Sequence, residues 1–472
     1  MLCAWSSQYP HRPIPPDQSP CGYGCRKQLP DSSWITGNLG YDVIDSCEAE
    51  LMKTRPITYM FFLGFTASAC AVFGQTSSPG RFQPTNALPK IPVPSGPFGI
   101  GRVGYDWVDA SRPDHYSSKP DAHRELMVYF WYPTSTKSGD TKGPYLPGAQ
   151  RMDALPEVRT VMQQEFENRW PAMVSGAIFS HAMEGAPVAK SSRPFSVVVF
   201  SHGLGSTGFN YTCLIEDLVS RGYVVASIEH TYIALAVWFP DGRVVLRHED
   251  APPSGLTPEQ KWKWIVERGS EQISEGAADV RFVLDRITAE KGDTRQFLLD
   301  GKIDLNRIAA MGHSAGAEFA ARACQLDARL KACVDLDGGM PPIAALPEYP
   351  DHATLKQPLL FLEAFHPQNK MAGTPAEHAA YFKKKEEQLQ ASRPGSYDVI
   401  LRSPGIAHPS FDDIPLLFAG QDGFAGPHVA LHNLTLIERY VREFLGKNLK
   451  HENARLLNTG NTPESAVQQY GH

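Results

Sequence analysis

One segment, residues 307–323 with the sequence RIAAMGHSAGAEFAARA, most constrains what this chain can fold into. The apolar run 308–311 predicts a short buried strand of a parallel sheet, and the alanines after the turn suit a helix packed closely against that sheet. Between them, Gly312 and Gly316 flank Ser314. This pattern is typical of a nucleophile elbow, a strand-to-helix turn so sharp that it exposes the serine hydroxyl from a strained backbone. An ordinary glycine turn is the alternative.

Strand-like and helix-like segments alternate on both sides of this elbow. Strands are expected at 125–133, 195–200, 222–228, 308–311, 331–337, 358–362 and 397–401, a hairpin at 237–246, and helices at 155–181, 258–287, 315–323 and 429–444. Such alternation predicts an α/β fold, with a mainly parallel central sheet and helices on both faces, in one catalytic domain over residues 98–446. The stretch 155–181 is expected to be a helical lid-like insertion, with a core-packing or a membrane-docking helix as the alternatives.

Composition narrows the class of protein. The chain has 472 residues, 42% of them hydrophobic and 10% aromatic, which is enough for a large core and excludes global disorder. Its net charge is -6 and it has no long basic run, so no nucleic-acid partner is expected. Three cysteines follow Cys70, too few for a disulfide scaffold; Cys324 and Cys333 are expected either to pair or to remain buried thiols.

The two ends of the chain differ in composition from its centre. Residues 1–51 are rich in proline and are expected to be a disordered extension. From Met52, basic, apolar and then small residues predict a secretory or lipoprotein-type signal over 52–75, with Cys70 at a lipoprotein-like position and a short membrane anchor as the alternative. The protein is therefore expected to be secreted, periplasmic or attached to the cell envelope. Residues 76–97 are predicted to be a linker or extended strap, and 447–472 a flexible tail.

A serine hydroxyl attacks an ester only if a base removes its proton and a carboxylate orients that base. Functional groups of an open α/β sheet lie just after the strands, where both His408 and Asp337 stand. The order Ser314, Asp337, His408 is the one expected of α/β-hydrolases. Glu363, after the next strand, stays open as a rival acid, and Asp335 is a weaker one.

The tetrahedral intermediate also needs two backbone N–H donors for its oxyanion. Ala315, the residue after the nucleophile, is one candidate, and Leu204 in the Gly-rich loop 200–206 after an early apolar strand is the other. Among the remaining histidines, His313 is expected to pack and hydrogen-bond beneath the elbow. His230 either lines the pocket or lies on the surface or behind the site, and His366 has no partner pattern in the sequence.

Five segments in order, VVVFSHGLGS, GYVVASIEH, DLNRIAAMGHSAG, ACVDLDGGM and IAHPSFDD, resemble the secreted platelet-activating factor acetylhydrolases and their bacterial relatives. The resemblance covers roughly residues 98–446. It implies an α/β-hydrolase with Ser314 as nucleophile, His408 as base, Asp337 rather than Glu363 as acid, and Leu204 and Ala315 as oxyanion donors.

The resemblance further implies a serine esterase that removes short acyl groups, in known members from the sn-2 position of phospholipids, without metal or cofactor. The expected partners are a small-molecule ester or phospholipid and, peripherally, a membrane or lipid particle. Another carboxylesterase or polyesterase on the same fold, and a catalytically silent binding protein, are the alternatives kept open.

Overall fold

A mostly parallel sheet forms the centre of the protein in the computed structural model. The structure describes residues 88–470 apart from 118, 136–142, 249, 290–296, 339–354, 367–378, 380–382, 384–385, 388 and 392. The strands in this part of the chain are β1 (Gly99–Pro113), β2 (His123–Thr134), β3 (Gly143–Pro144), β4 (Phe179–Ser180), β5 (Ala182–Glu184), β6 (Phe195–Ser201), β7 (Tyr223–Glu229), β8 (Ala236–Trp238), β9 (Val244–Leu246), β10 (Ile303–His313), β11 (Leu330–Leu336), β12 (Leu359–Ala364), β13 (Ser396–Leu401) and β14 (Ser465–Tyr470).

Ten of these strands form the main sheet, in the order β14-β13-β12-β11-β10-β6-β7-β2-β1-β5. The six strands from β13 to β7 in this order are mutually parallel, whereas β2 is antiparallel to β7 and β1, and β14 is antiparallel to β13. The predicted α/β class is therefore confirmed. Because the carboxyl ends of the six parallel strands share one edge, the residues that follow β6, β10, β11 and β13 meet there.

The principal helices are α1 (Ala149–Ala154), α2 (Pro156–Phe166), α3 (Trp170–Val174), α4 (Thr212–Ser220), α5 (Pro258–Thr288), α6 (Ala315–Leu326), α7 (Ile414–Leu417), α8 (Pro427–Leu445) and α9 (Arg455–Thr459). They cover both faces of the sheet, since successive residues of a strand point to opposite sides. Along β6, Val198 and Phe200 belong to the core formed with α4 and α8, and Val197 and Val199 to the core formed with α5 and α6. The uniformly apolar strands of the sequence thus reflect burial on two sides.

The insertion between β2 and β6 contains α1, α2 and α3. Helix α2 buries Val158, Met162 and Phe166 on one face. The prediction of helix as far as residue 181 is wrong, because the chain turns at Glu167 (φ 43°) and again at Gly176 (φ 72°), after which β4 and β5 form. The three buried residues of α2 pack into the core that α4 and α8 form against the sheet, so α2 corresponds to the core-packing alternative.

The segment between β7 and β10 follows the sequence prediction closely. The hairpin expected at 237–246 is formed by β8 and β9, in which Ala236 pairs with Leu246. Helix α5 begins at residue 258, as predicted, and Thr257 before it accepts a hydrogen bond from the backbone of Gln260 while the Gln260 side chain accepts one from Thr257 N. This reciprocal capping box satisfies two N–H groups that the first helical turn leaves without intrahelical partners.

The C-terminal region differs from its prediction. Residues 447–472 are expected to be a flexible tail, but they contain α9 and β14, and β14 pairs with β13 from Ser465 opposite Leu401 to Tyr470 opposite Ser396. Pairing covers the backbone groups that β13 would otherwise present at an open edge. Near the opposite edge of the sheet, β1 is a long strand that was not predicted, and it precedes the first predicted strand, 125–133.

At the N-terminal side, the described part of the predicted strap, residues 88–97, packs against the end of α4. Ile91 is buried, and Gly96 N donates to Ser220 Oγ at 3.1 Å. The predicted signal at 52–75 and the extension at 1–51 lie outside the described residues. Within those residues, no helix has both the length and the apolar character needed to cross a membrane. Cys324 and Cys333 are buried and free, the second of the two expected states.

Candidate active site

The elbow connects β10 directly to α6, with Ser314 between them at φ 54° and ψ −125°. A side chain at either flanking glycine would collide with backbone: a Cβ on Gly312 would lie 2.0 Å from Gly316 O, and one on Gly316 would lie 2.2 Å from Ser201 O. Ser314 itself is partly exposed although its neighbours are buried. The strained turn therefore presents the hydroxyl at the carboxyl edge of the sheet.

Asp337 lies one strand away and receives hydrogen bonds from several directions. It follows β11, and its carboxylate accepts from Ala364 N at 2.9 Å and bonds His408 Nδ1 at 2.7 Å. The Nε2 atom of His366 lies 3.1 Å from the same carboxylate. Burial alone would raise the pKa of Asp337, but the hydrogen bonds from His366 and His408 outweigh burial and hold that pKa well below its usual range. The carboxylate is therefore ionised at neutral pH.

His408 begins a short 3-10 turn, His408–Phe411, in the loop after β13. Its ring lies 4.6 Å, centroid to centroid, from the ring of His313, the residue that precedes Ser314. His313 also stacks on Phe411. Since Nδ1 of His408 is bonded to Asp337, Nε2 is the nitrogen left to act on a hydroxyl, and the side chain keeps 30% of its surface exposed.

The rivals of Asp337 lie on the other side of the sheet. Glu363 shares its strand face with Phe361, and Asp335 shares its face with Cys333; both of these apolar residues belong to the core beneath α5 and α6. Asp335 is buried and accepts a hydrogen bond from Gly338 N at 2.8 Å. The carboxylate that His408 bonds is that of Asp337.

The loop proposed to supply an oxyanion donor passes directly over the elbow. A Cβ on Gly203 would lie 3.4 Å from the Cβ of Ser314, so the loop and the serine are in close contact. Gly203 N donates to Tyr211 Oη at 3.1 Å, and Tyr211 in turn bonds His313 Nδ1 at 2.8 Å. His313 thus packs and bonds beneath the turn, as expected. Leu204 follows Gly203 on this loop, and Ala315 begins α6.

Two features of the site were not predicted. Tyr211 links the loop 200–206 to the elbow, and His366 contacts Asp337 although nothing in its sequence context indicates a partner. Each depends on contacts between residues far apart in the chain. His230 is fully buried, which corresponds to the alternative that places it behind the site. Among the described residues, no group of three or more His, Cys, Asp or Glu side chains has an arrangement that could hold a metal ion.

Comparison with known proteins identifies the family. A family model described as platelet-activating factor acetylhydrolase, isoform II, matches residues 85–243 and 270–422, more than half of the chain. The chain belongs to this family. The platelet-activating factor acetylhydrolase of Gallus gallus is 24% identical over 319 residues, 64% of this chain and 70% of that protein. The one from Cavia porcellus is 25% identical over 299 residues, 58% of this chain and 60% of that protein.

A solved structure of a ferulic acid esterase from Streptomyces cinnamoneus is similar with a TM-score of 0.60 and 27% identity, over 81% of this chain and 100% of that one. Together with the sheet order, this likeness shows the α/β-hydrolase fold. The family and the similar solved structure are both named for ester hydrolysis. The protein is an ester-hydrolysing enzyme.

Proposed function

We propose that the protein is a serine esterase in which Ser314, His408 and Asp337 form the catalytic triad. The observation that carries the proposal is the 2.7 Å bond from His408 Nδ1 to the ionised, buried Asp337, formed beside the ring of His313 and hence beside the elbow. Family membership supports the same assignment. A carboxylate in this place holds the imidazole with its proton on Nδ1, which leaves Nε2 free to accept the proton of the serine.

The reaction proceeds through an acyl-enzyme. His408 Nε2 takes the proton of Ser314 Oγ as Oγ attacks the ester carbonyl, and the resulting oxyanion accepts hydrogen bonds from Leu204 N–H and Ala315 N–H. Collapse of the intermediate breaks the bond to the alcohol, which leaves with the proton from His408. Water then gives a proton to His408 and attacks the acyl group, and a second collapse frees the acid and returns the proton to Ser314 Oγ.

For the substrate, we propose short-acyl esters, including the sn-2 acetyl ester of platelet-activating factor-like phospholipids. Support comes from the family and from relatives named platelet-activating factor acetylhydrolase. Esters of aromatic acids are the second candidate, because the similar solved structure is a ferulic acid esterase that aligns over its full length. Peripheral contact with a lipid surface belongs to the first candidate only.

Hydrolysis of p-nitrophenyl esters from acetate to laurate by the purified protein, with Ser314→Ala as control, tests the activity. Activity concentrated on acetate and butyrate and lost in the control supports a short-acyl esterase. Release of acetate from platelet-activating factor, compared with release of ferulate from methyl ferulate, then separates the two substrate candidates. Activity that survives Ser314→Ala would refute the site, and a maximum at laurate would refute the short-acyl preference.

We also propose export through the signal at 52–75. Sequencing the N-terminus of the protein purified from its own cells tests this directly. A mature chain that starts after Ala69 or Ala71, or at a lipid-modified Cys70, supports export, and a chain that still starts at Met1 refutes it.

A further inference from the structure

A network of buried polar side chains runs from the proposed oxyanion loop, residues 200–206, to helix α5. Its members are Ser201 at the end of β6, His202 in the loop, His230 after β7 and Asp279 in α5, and none is more than marginally exposed. Buried polar groups persist in a folded protein when they are hydrogen-bonded, so these contacts specify one arrangement. The proposed chemistry uses none of the four side chains directly.

The hydrogen bonds determine which nitrogen of each imidazole carries a proton. His230 Nδ1 lies 2.9 Å from Asp279 Oδ2, a carboxylate oxygen that can only accept, so Nδ1 of His230 is protonated. Burial lowers the pKa of His230 and favours its neutral ring, in which Nε2 accepts from Ser201 Oγ at 3.0 Å. His202 Nε2 accepts from the backbone N–H of His230 at 3.2 Å. His202 therefore carries its proton on Nδ1, which donates to Gly203 O at 2.8 Å.

Two arginines keep Asp279, at the α5 end of this network, ionised. Arg124 binds the Asp279 carboxylate with two nitrogens, at 3.1 and 2.6 Å, and Arg112 Nη2 lies 2.8 Å from it. Although burial would raise the pKa of Asp279, these charges and the bond from His230 hold it well below its usual range. Burial lowers the pKa of His202 to about 3, helped by nearby His230, so this ring is neutral at working pH.

Gly203 O, which accepts the bond from His202, determines the direction of the proposed oxyanion donor, Leu204 N–H. Gly203 C=O and Leu204 N–H belong to one planar trans peptide unit, in which they point in opposite directions. Fixing Gly203 O therefore fixes the direction of Leu204 N–H. The adjacent peptide groups are held as well, by Gly203 N on Tyr211 Oη and by Gly205 N on Ile233 O at 3.0 Å.

We propose that His202 is a positioning residue that aims the Leu204 N–H at the oxyanion. The backbone N–H of His230, a residue whose ring is anchored by Asp279, holds His202 in the tautomer this requires. The inference rests on the proposed function, since it assigns a support to that same oxyanion site. Donors aimed before reaction stabilise the transition state without reorganisation, so a rotated peptide lowers kcat more than it weakens substrate binding.

Two substitutions at one position separate the two bonds of His202. Asn places an amide nitrogen near Nδ1 and keeps the donor to Gly203 O, whereas Gln places its amide near Nε2 and keeps only the acceptor for His230 N–H. We expect His202→Gln to lower kcat for p-nitrophenyl acetate by about 10- to 100-fold with KM changed by less than about twofold, and His202→Asn to retain most of kcat. Affinity for a boronic acid, whose adduct on Ser314 mimics the oxyanion, should fall in parallel.

Equal losses in the two variants, or a loss confined to KM, would overturn the inference while leaving the esterase proposal intact. Wild-type protein that hydrolyses no ester would instead refute the proposed function. The tautomer provides a test without substitution: nitrogen NMR of 15N-histidine-labelled wild type, with His202 assigned from the His202→Asn spectrum, should show the proton on Nδ1. A proton on Nε2 of His202 would overturn the inference even if His202→Gln fails to fold.

Discussion

Replacing Asp337 with Asn is the sharpest test of the triad, because the structure determines how the new amide must orient. One oxygen of Asp337 accepts from Ala364 N–H at 2.9 Å, so an Asn side chain would keep its oxygen there and turn its NH2 group toward His408. The imidazole would then accept on Nδ1 and carry its proton on Nε2. In that tautomer it cannot take the proton of Ser314.

The size of the effect follows from the cost of escaping this state. Flipping the amide would leave Ala364 N–H facing a donor, which costs about 1–3 kcal/mol, or about one to two factors of ten in the competent population. The flipped amide is also neutral, and it no longer stabilises the imidazolium that forms as His408 accepts the proton. We therefore expect kcat to fall by about 10³- to 10⁴-fold, comparable with the loss when the triad carboxylate of other serine hydrolases is neutralised.

The assay is steady-state hydrolysis of p-nitrophenyl acetate, with the concentration of active sites measured by reaction with a phosphonofluoridate and folding checked by thermal unfolding. Glu363→Gln is the matched control, because it neutralises the rival carboxylate on the neighbouring strand. A loss of less than about tenfold in folded Asp337→Asn, or a comparable loss in Glu363→Gln, would refute the assignment of the acid.

Three further substitutions have expected outcomes. Burial raises the pKa of Glu229 from 4.5 to about 8, so the stability gained from its protonated form is complete below pH 4.5 and is lost as the pH rises to 8. Relative to Glu229→Gln, the wild-type free energy of unfolding in urea should fall by up to about 5 kcal/mol over that interval. Parallel pH profiles of the two proteins would contradict this prediction. Gly312→Ala should destabilise the fold by about 3 kcal/mol or more, because its Cβ would lie 2.0 Å from Gly316 O; an unchanged urea midpoint would show that the elbow relaxes freely. His366→Ala removes one of the partners of the Asp337 carboxylate but leaves the His408 bond, so kcat should fall by less than about tenfold; a loss as large as that of Asp337→Asn would make His366 a second essential histidine.

The parts of the site that could be predicted from sequence are those encoded within short stretches of chain. The elbow needs Gly312 and Gly316 at fixed positions around Ser314, and those letters are visible in the sequence because only glycine fits such a turn. The start of α5 is likewise indicated by Thr257 followed by Pro258. Gly312 is constrained by Gly316 and the start of α5 by adjacent residues, so the local sequence is sufficient to predict them, whereas Gly316 is constrained by Ser201 O from a distant strand.

The parts that could not be predicted depend on pairing between distant segments. β14 has no strong alternation of its own, and it becomes a strand because β13 offers it an unpaired edge. The proposed support of the oxyanion loop depends on His202 meeting His230, 28 residues away in the chain, and on His230 meeting Asp279. Periodicity describes which face of an element is buried, but it does not say which polar groups meet across that face.

The choice between Asp337 and Glu363 shows where local reading stops. In an antiparallel strand with one wet face, alternation would reveal on which side each carboxylate lies, but β12 is buried on both sides and its residues before Glu363 are all apolar. The structure shows on which side each residue of β12 lies. Leu362 and Ala364 belong to the core formed with α8, and Phe411 from the His408 loop packs into the same core. Glu363 must then point away from His408. Asp337 escapes this constraint because it stands just beyond β11 with φ 51°, where the chain has left the pleat and the carboxylate can turn toward Ala364 N and His408 together.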